Sequence, residues 1–172
     1  MCTKNFALPF LVAFLLCSID AHAEDRYTVT PCGSIIDGKN RLEWFVGHDQ
    51  ATDWNQASEW ARRLSTCNGG WRMPSLTELK TLYEPNSRTG KGWVFQGVII
   101  EPHLNAVFKG IGGGTEIWTD RSSKEQSVAM LFDFSSGIEK NRPILYAIRV
   151  RAFAVRAVTG EPDKKVETEK PS

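Results

Sequence analysis

Two cysteines, Cys32 and Cys67, carry the most definite chemistry in the part of the chain that follows its apolar N-terminus. An even pair of cysteines in a small domain indicates one disulfide when the protein folds in an oxidising compartment. Closing a loop of this length would stabilise the fold by about 3–4 kcal/mol through the unfolded state. The alternative is a pair of buried free thiols. Which of the two applies depends on where the chain folds.

Residues 1–23 have the layout of a secretory signal peptide. Lys4 supplies the positive start, residues 6–17 form an apolar run, and Ala21-His22-Ala23 is a small-residue cleavage site. The run is shorter than the roughly 20 residues that an uncleaved membrane anchor needs. Lipid attachment at Cys17 is another alternative, but that signal requires a small residue where Leu16 stands. We therefore predict cleavage after the last alanine of this segment, and a secreted or periplasmic protein with no transmembrane segment left.

Residues suited to catalysis are few once the signal peptide is removed. The two remaining histidines, His48 and His103, lie in different predicted loops, and no metal-binding, nucleophile or phosphate-binding motif accompanies them. A disulfide would also leave no free thiol to act as a nucleophile. The formal net charge of +1 does not suit a strongly basic nucleic-acid binder. We predict that the protein is not an enzyme and that nucleic acid is not its partner.

Two short strings raise a calcium-dependent sugar site as an alternative. Glu84-Pro85-Asn86 is the sugar-recognition triplet of calcium-dependent C-type lectins, and Trp118-Thr119-Asp120 loosely resembles their partner strand. Calcium takes about six to eight oxygen ligands, for which Glu84, Asn86 and Asp120 are the candidates. The proline of the triplet is also an ordinary stop signal at the end of a helix. We therefore expect no cofactor.

Aromatic and charged side chains are the candidates for contacting a ligand without a metal. Trp93 lies in a Gly-rich segment and could stack on a sugar ring, although tryptophan is more often buried. Asp120 and Arg121 are the charged candidates. Arg62-Arg63 and the arginines at 149, 151 and 156 could form a basic patch for sulfated glycans. We expect these arginines instead to lie on a solvated helix face and an exposed sheet face.

Two helices are predicted in the first half of the chain. The first begins at an N-cap in Thr52-Asp53, and an apolar stripe runs along it at spacings of three and four residues, through Trp54, Ala57, Ala61 and Leu64. The second is shorter and begins with a capping box, in which Ser75 and Glu78 satisfy each other's backbone amides. It ends before Pro85.

The strands are predicted mainly at the two ends of the domain. β-Prone segments cover residues 27–29, 34–37, 42–46, 116–119, 128–134 and 146–158. Residues 86–114 are predicted to be a long irregular loop region, with short strands as one alternative at 93–95 and 98–100. Residues 161–172 are charged and predicted to be a disordered tail. Because helices and strands are grouped, we predict an α+β fold, with two helices packed on an antiparallel sheet.

Four motifs in the chain resemble those of one known family. Residues 37–44 resemble a "D..TGL.W" opening, residues 70–79 a "DWRLPT..EL" centre, residues 117–119 a "YWTS" strand and residues 154–158 a closing "VRCVR" strand. In this order they resemble the Lcl C-terminal domain family, named for a collagen-like bacterial adhesin. The resemblance implies a C-type-lectin-like fold for residues 24–160, a surface or periplasmic setting, and adhesion to sulfated glycans in the best-known members.

Together, these patterns predict an exported, non-catalytic binding domain. Its ligand would be a glycan or a protein partner at the cell envelope, contacted by the irregular loop region. The alternative is a structural or envelope-assembly module whose loops contact another subunit and no sugar.

Overall fold

A computed structural model describes residues 25–158 of the chain. The predicted signal peptide 1–23 and tail 161–172 lie outside the described residues, as do both ends of the predicted domain at 24 and 160. Within residues 25–158, no helix has the length and apolar character needed to cross a membrane.

The fold is α+β, with two α-helices and short, largely antiparallel strands, as predicted. The strands are β1 (Tyr27–Val29), β2 (Ile35–Asp37), β3 (Leu42–Val46), β4 (Trp93–Phe95), β5 (Val98–Ile100), β6 (Glu116–Ser123), β7 (Val128–Asp133), β8 (Ile138–Pro143), β9 (Val150–Arg151) and β10 (Phe153–Ala157). The α-helices are α1 (Trp54–Arg63) and α2 (Leu76–Leu82), and 3-10 helices lie at Thr66–Asn68 and Ala106–Ile111.

Two four-stranded sheets form the body of the domain. The first has the order β1-β2-β3-β10 and is antiparallel throughout. The second has the order β8-β7-β6-β9, and only its β6–β9 pair is parallel. The predicted antiparallel arrangement is therefore present, but it is divided between two sheets and includes one parallel pair. The segment 150–157 supplies β9 to one sheet and β10 to the other, and so connects the two.

Both helices begin as the sequence predicts. The side chain of Asp53 accepts a hydrogen bond from the amide of Gln56, and the Gln56 side chain returns one to the Asp53 amide. Ser75 and Glu78 form the equivalent box at α2. Helix α1 packs on β6 and β10, whereas α2 packs on β6 and β7. The helices thus lie against both sheets.

In the segment 86–114, the alternative of short strands at 93–95 and 98–100 is the one observed, so the segment is less irregular than a continuous loop. It contains the hairpin formed by β4 and β5, and the second 3-10 helix. Leu104, Phe108 and Ile111 are fully buried in the larger core cluster. Their apolar side chains anchor the second half of this segment, because removing them from water favours burial.

The core consists of two clusters. The larger contains mostly aromatic and branched side chains, including Trp44, Phe132 and Phe153. The second surrounds the alanine stripe of α1, where Ala57 and Ala61 let the helix approach the sheets closely. Cys32 and Cys67 form a disulfide, with their Cα atoms 5.7 Å apart, which ties the β1–β2 connection to the end of α1. The predicted disulfide is confirmed.

Candidate functional site

A cleft of about 290 Å³ lies between α1 and the segment that precedes α2. We call it the α1 cleft. Its walls combine tryptophan rings with charged and hydroxyl groups, and the lining residues are Trp54, Ser58, Arg62, Trp71, Arg72, Met73 and Asp120. They come from three parts of the chain that are distant in sequence, so the site exists only in the folded protein.

Helix α1 supplies one wall of the α1 cleft. Trp54, Ser58 and Arg62 follow one another at intervals of four residues, which places them on one face of a helix. The Trp54 indole nitrogen donates to the carbonyl of Thr119 at 2.9 Å, which fixes this ring against β6. The four-residue spacing was visible in the sequence, but Trp54 also belongs to the apolar stripe, which predicts the buried side of the helix and not a cleft.

The opposite wall is the motif that carries the family resemblance. Trp71 is almost fully buried beneath it, with the Arg156 guanidinium 4.5 Å from its ring centre. Its indole nitrogen donates to the carbonyl of Thr66 at 2.7 Å. The backbone of Arg72 bridges to Val155 in β10, so this wall is attached to the first sheet.

Asp120 closes the end of the cleft from a bulge in β6. The β6–β7 register shifts between Trp118 and Ser122, and such bulges redirect side chains. The Asp120 amide donates to the carbonyl of Pro74 at 2.8 Å, which brings the strand against the motif segment. The Asp120 side chain is exposed, and within residues 25–158 it forms no ion pair.

The two arginines of the cleft are already paired. Arg72 donates to both carboxylate oxygens of Glu78, at 2.9 and 2.5 Å. Burial would raise the pKa of Glu78, but hydrogen bonds from Arg72 and Ser75 outweigh it and hold that pKa below its usual range. Arg62 pairs with Glu59 at 2.7 Å on the surface of α1. The cleft therefore presents oriented guanidinium groups with little excess positive charge.

This arrangement suits a ligand rich in hydroxyl groups. The exposed Asp120 carboxylate can accept hydrogen bonds from hydroxyls, and guanidinium N–H groups can donate to them. The half-buried Trp54 ring offers an apolar surface beside these polar groups.

The three predicted ligand-contacting residues do not form one site. Asp120 lines the α1 cleft, and the exposed Arg121 follows it in the same bulge, with its amide bonded to the hydroxyl of Thr119. Trp93 lies instead in β4, where the Arg149 guanidinium is 4.9 Å from its ring centre. It is half-buried, between the two alternatives that the sequence left open.

The calcium candidates Glu84 and Asp120 line two different clefts, which share no residue. Glu84 accepts hydrogen bonds from Arg26 and Tyr27, at 3.2 Å each. Asn86 is exposed beyond the end of α2. Among the described residues, one group of three metal-ligating side chains is close together, and it consists of Cys32, Glu43 and Cys67. Its two sulfurs are joined to each other, so the group is structural.

The three late arginines do not form an exposed basic face, so this prediction is wrong. Each is largely buried and paired with a carboxylate from another part of the chain: Arg149 with Glu116, Arg151 with Asp49 and Arg156 with Glu43. The alternation of arginines with apolar residues indicated that the arginines point away from their apolar neighbours. It did not indicate that carboxylates from distant parts of the chain would lie beside these arginines.

The two histidines lie in different surroundings. His48 lines a smaller cleft of about 190 Å³ on the other side of α1, together with Gln56 and Trp60. His103 Nδ1 lies 2.5 Å from the carbonyl oxygen of Pro85 and 2.5 Å from an Nη of Arg88, and its tautomer decides which of the two it bonds. The structure therefore does not bring the two imidazoles into one site.

Comparison with known proteins gives one match. No curated protein and no solved structure matches the chain. The model of the Lcl C-terminal domain matches residues 33–159, which include the α1 cleft, the motif segment, the second sheet and all of the first sheet except β1. Because this match covers most of the sequence, the chain belongs to the Lcl C-terminal domain family.

Proposed function

We propose that the protein is an exported, non-catalytic carbohydrate-binding domain of C-type-lectin-like fold, with the α1 cleft as its glycan site. Family membership supports an adhesin-like role at a cell surface. The disulfide supports folding in an oxidising compartment. The observation that carries the proposal is the exposed Asp120 carboxylate, without an ion pair among the described residues, beside a tryptophan ring and two oriented guanidinium groups.

The charges of the cleft favour a particular class of glycan. Arg62 and Arg72 are paired with acids, and Asp120 adds a negative charge. A strongly sulfated chain would meet this carboxylate at close range. We therefore propose a neutral or weakly acidic sugar, bound mainly through its hydroxyl groups, and without calcium.

A glycan array probed with the purified protein tests this proposal. We expect binding to neutral or weakly acidic glycans that persists in a calcium chelator. Asp120→Asn keeps the shape of the side chain but removes its charge, and should weaken binding about tenfold, because hydrogen bonds to a charged group are the stronger ones. Glu125→Gln is the matched control, since Glu125 is an exposed acid in the β6–β7 turn.

Three outcomes would contradict the proposal. A blank array would favour an envelope-assembly module that contacts protein alone. Equal losses in the two variants would show that overall charge, and not the cleft, governs binding. Loss of binding in the chelator would reinstate a calcium site.

A further inference from the structure

Strands β4 and β5 form a small hairpin that belongs to neither four-stranded sheet. We call residues 93–100 the apolar hairpin. Its turn consists of Gln96 and Gly97, which both have positive φ angles, of 48° and 78°. Such a two-residue turn matches the natural twist of paired strands. The hairpin is thus a regular, pre-formed element and not a loose loop.

The tip of the apolar hairpin exposes large hydrophobic side chains on both of its faces. Val94 lies opposite Ile99 on one face, and Phe95 lies opposite Val98 on the other. Their exposed fractions are 62% and 60%, and 48% and 63%. These four residues are half of the eight large hydrophobic residues that are exposed within residues 25–158. Such a concentration on one short element marks an interaction surface.

The base of the hairpin is held firmly. Trp93 stacks on Phe95 with ring centres 5.0 Å apart. The Arg149 guanidinium lies over the same indole, and it also donates to the buried Glu116 at 2.9 Å. The hairpin is therefore attached to the second sheet through Trp93, while its outer four residues project into solvent.

The two-sided exposure indicates what covers the tip. A flat protein surface would bury one face of a hairpin and leave the other in water. The interfacial region of a lipid bilayer surrounds an inserted element on every side. Three residues of a strand span about 10 Å, which agrees with the roughly 5–10 Å that interfacial elements penetrate.

The residues at the base suit the same environment. Tryptophan concentrates at the level of lipid headgroups, because its ring is apolar and its N–H is polar. Two exposed cations, Arg88 and Lys91, lie five and two residues before β4, and cations close to a bilayer surface attract headgroup phosphates. The nearby Glu101 is half-buried and accepts a hydrogen bond from the amide of Gly90, so its charge is partly screened from that surface.

We propose that the apolar hairpin inserts its tip into the interfacial region of a phospholipid bilayer, with Trp93 at the headgroup level. The insertion is reversible and peripheral, because only four side chains enter the lipid. It does not depend on the glycan site, since the α1 cleft and the hairpin share no residue.

Vesicle flotation tests the insertion, with vesicles made of equal parts phosphatidylcholine and phosphatidylglycerol. The wild-type protein should float with them. Val98→Ser with Ile99→Ser removes one apolar side chain from each face and should lower the partition coefficient by at least about tenfold, given the transfer free energy of the methyl groups lost. Val29→Ser with Ile138→Ser is the matched control, because both residues are equally exposed on other strands, and should leave flotation unchanged.

Depth of insertion is the second measurement. Vesicles with brominated acyl chains should quench the fluorescence of the wild-type protein, and most of that quenching should vanish in Trp93→Phe. The proposal is overturned if the wild-type protein fails to float, or if the hairpin and control variants float equally. Self-association without lipid that is lost in the hairpin variant, measured by sedimentation velocity, would instead assign the hairpin to an interface between copies of the chain.

Discussion

Asp133 shows how one buried side chain is kept charged in this fold. It is almost fully buried, and its carboxylate accepts hydrogen bonds from Lys140 at 2.5 Å and from the hydroxyl of Ser135 at 2.7 Å. Burial alone would raise the pKa of Asp133, but these hydrogen bonds hold it below its ordinary value of 3.8. The same balance lowers the pKa of Asp37 beside Arg26.

These lowered pKa values predict a loss of stability in acid. A carboxyl group whose pKa is lower in the folded state stabilises the protein above its unfolded pKa, and this contribution is lost as the pH falls through the folded pKa. We therefore expect the free energy of unfolding, measured in urea, to fall steadily below about pH 4.

Asp133→Asn isolates one of these groups. It should cost about 3 kcal/mol at neutral pH, because it leaves the Lys140 ammonium without its shortest partner. The variant should also lose less stability than the wild type on acidification, since one of the titrating groups is gone. Glu125→Gln on the surface serves as the control and should change the stability by less than about 0.5 kcal/mol. Parallel pH profiles for Asp133→Asn and the wild type would contradict this assignment.

Among the elements, helix α2 depends most clearly on the capping box at its N-terminus. It has only seven residues, too few to be stable alone, because helix nucleation is costly. The hydroxyl of Ser75 accepts from the Glu78 amide at 3.3 Å, and a Glu78 carboxylate oxygen accepts from the Ser75 amide at 2.8 Å. Arg72 then clamps the same carboxylate, which links the cap to the wall of the α1 cleft.

Ser75→Ala should therefore destabilise the protein by about 1 kcal/mol, as expected for the loss of an N-cap hydroxyl. It should also weaken glycan binding, because Glu78 would then hold Arg72 less firmly. Thr77→Ala is the matched control within the same helix turn, where the side chain is exposed, and should be neutral or slightly stabilising. Thermal unfolding and the glycan array provide the two readouts. A stable Ser75→Ala protein would show that tertiary packing alone holds the helix.

At the scale of the whole molecule, the disulfide joins the first sheet to the segment that follows α1. Cys32 lies between β1 and β2 of the first sheet, and Cys67 lies 35 residues later in the 3-10 helix after α1. The bond thus restrains the end of α1, and α1 forms one wall of the cleft. Arg156 strengthens the same region by bonding both Glu43 and the carbonyl of Gly69.

Replacing both cysteines with alanine should cost about 4 kcal/mol, because the unfolded chain regains the entropy of an open loop of 35 residues. Urea unfolding measures the loss. The wild-type protein should fall to the same stability in reductant, whereas the double variant should not respond to it. A variant as stable as the oxidised wild type would mean that the bond does not constrain the unfolded chain.

The sequence by itself determined what depends on neighbouring residues. Both helices, their caps and the first hairpin were predictable, since capping boxes and apolar stripes act within a few residues. The cysteine pairing was predictable because only two cysteines, Cys32 and Cys67, follow the predicted signal peptide, and two cysteines allow one pairing. Strand β8 was missed, because five of its six residues, from Glu139 to Pro143, are polar or proline, and its pairing with β7 provides the signal that its own pattern lacks.

Only the tertiary structure decided which distant side chains meet. Arg151 pairs with Asp49 across 102 residues of sequence, and Asp120 reaches the cleft through a bulge and a backbone hydrogen bond to Pro74. The exposure of the apolar hairpin on both faces is equally invisible in a run of hydrophobic residues, which is usual for a buried strand. Local sequence patterns predict the conformation of a segment. Ion pairs, clefts and exposed surfaces depend on which distant residues the rest of the fold places beside that segment.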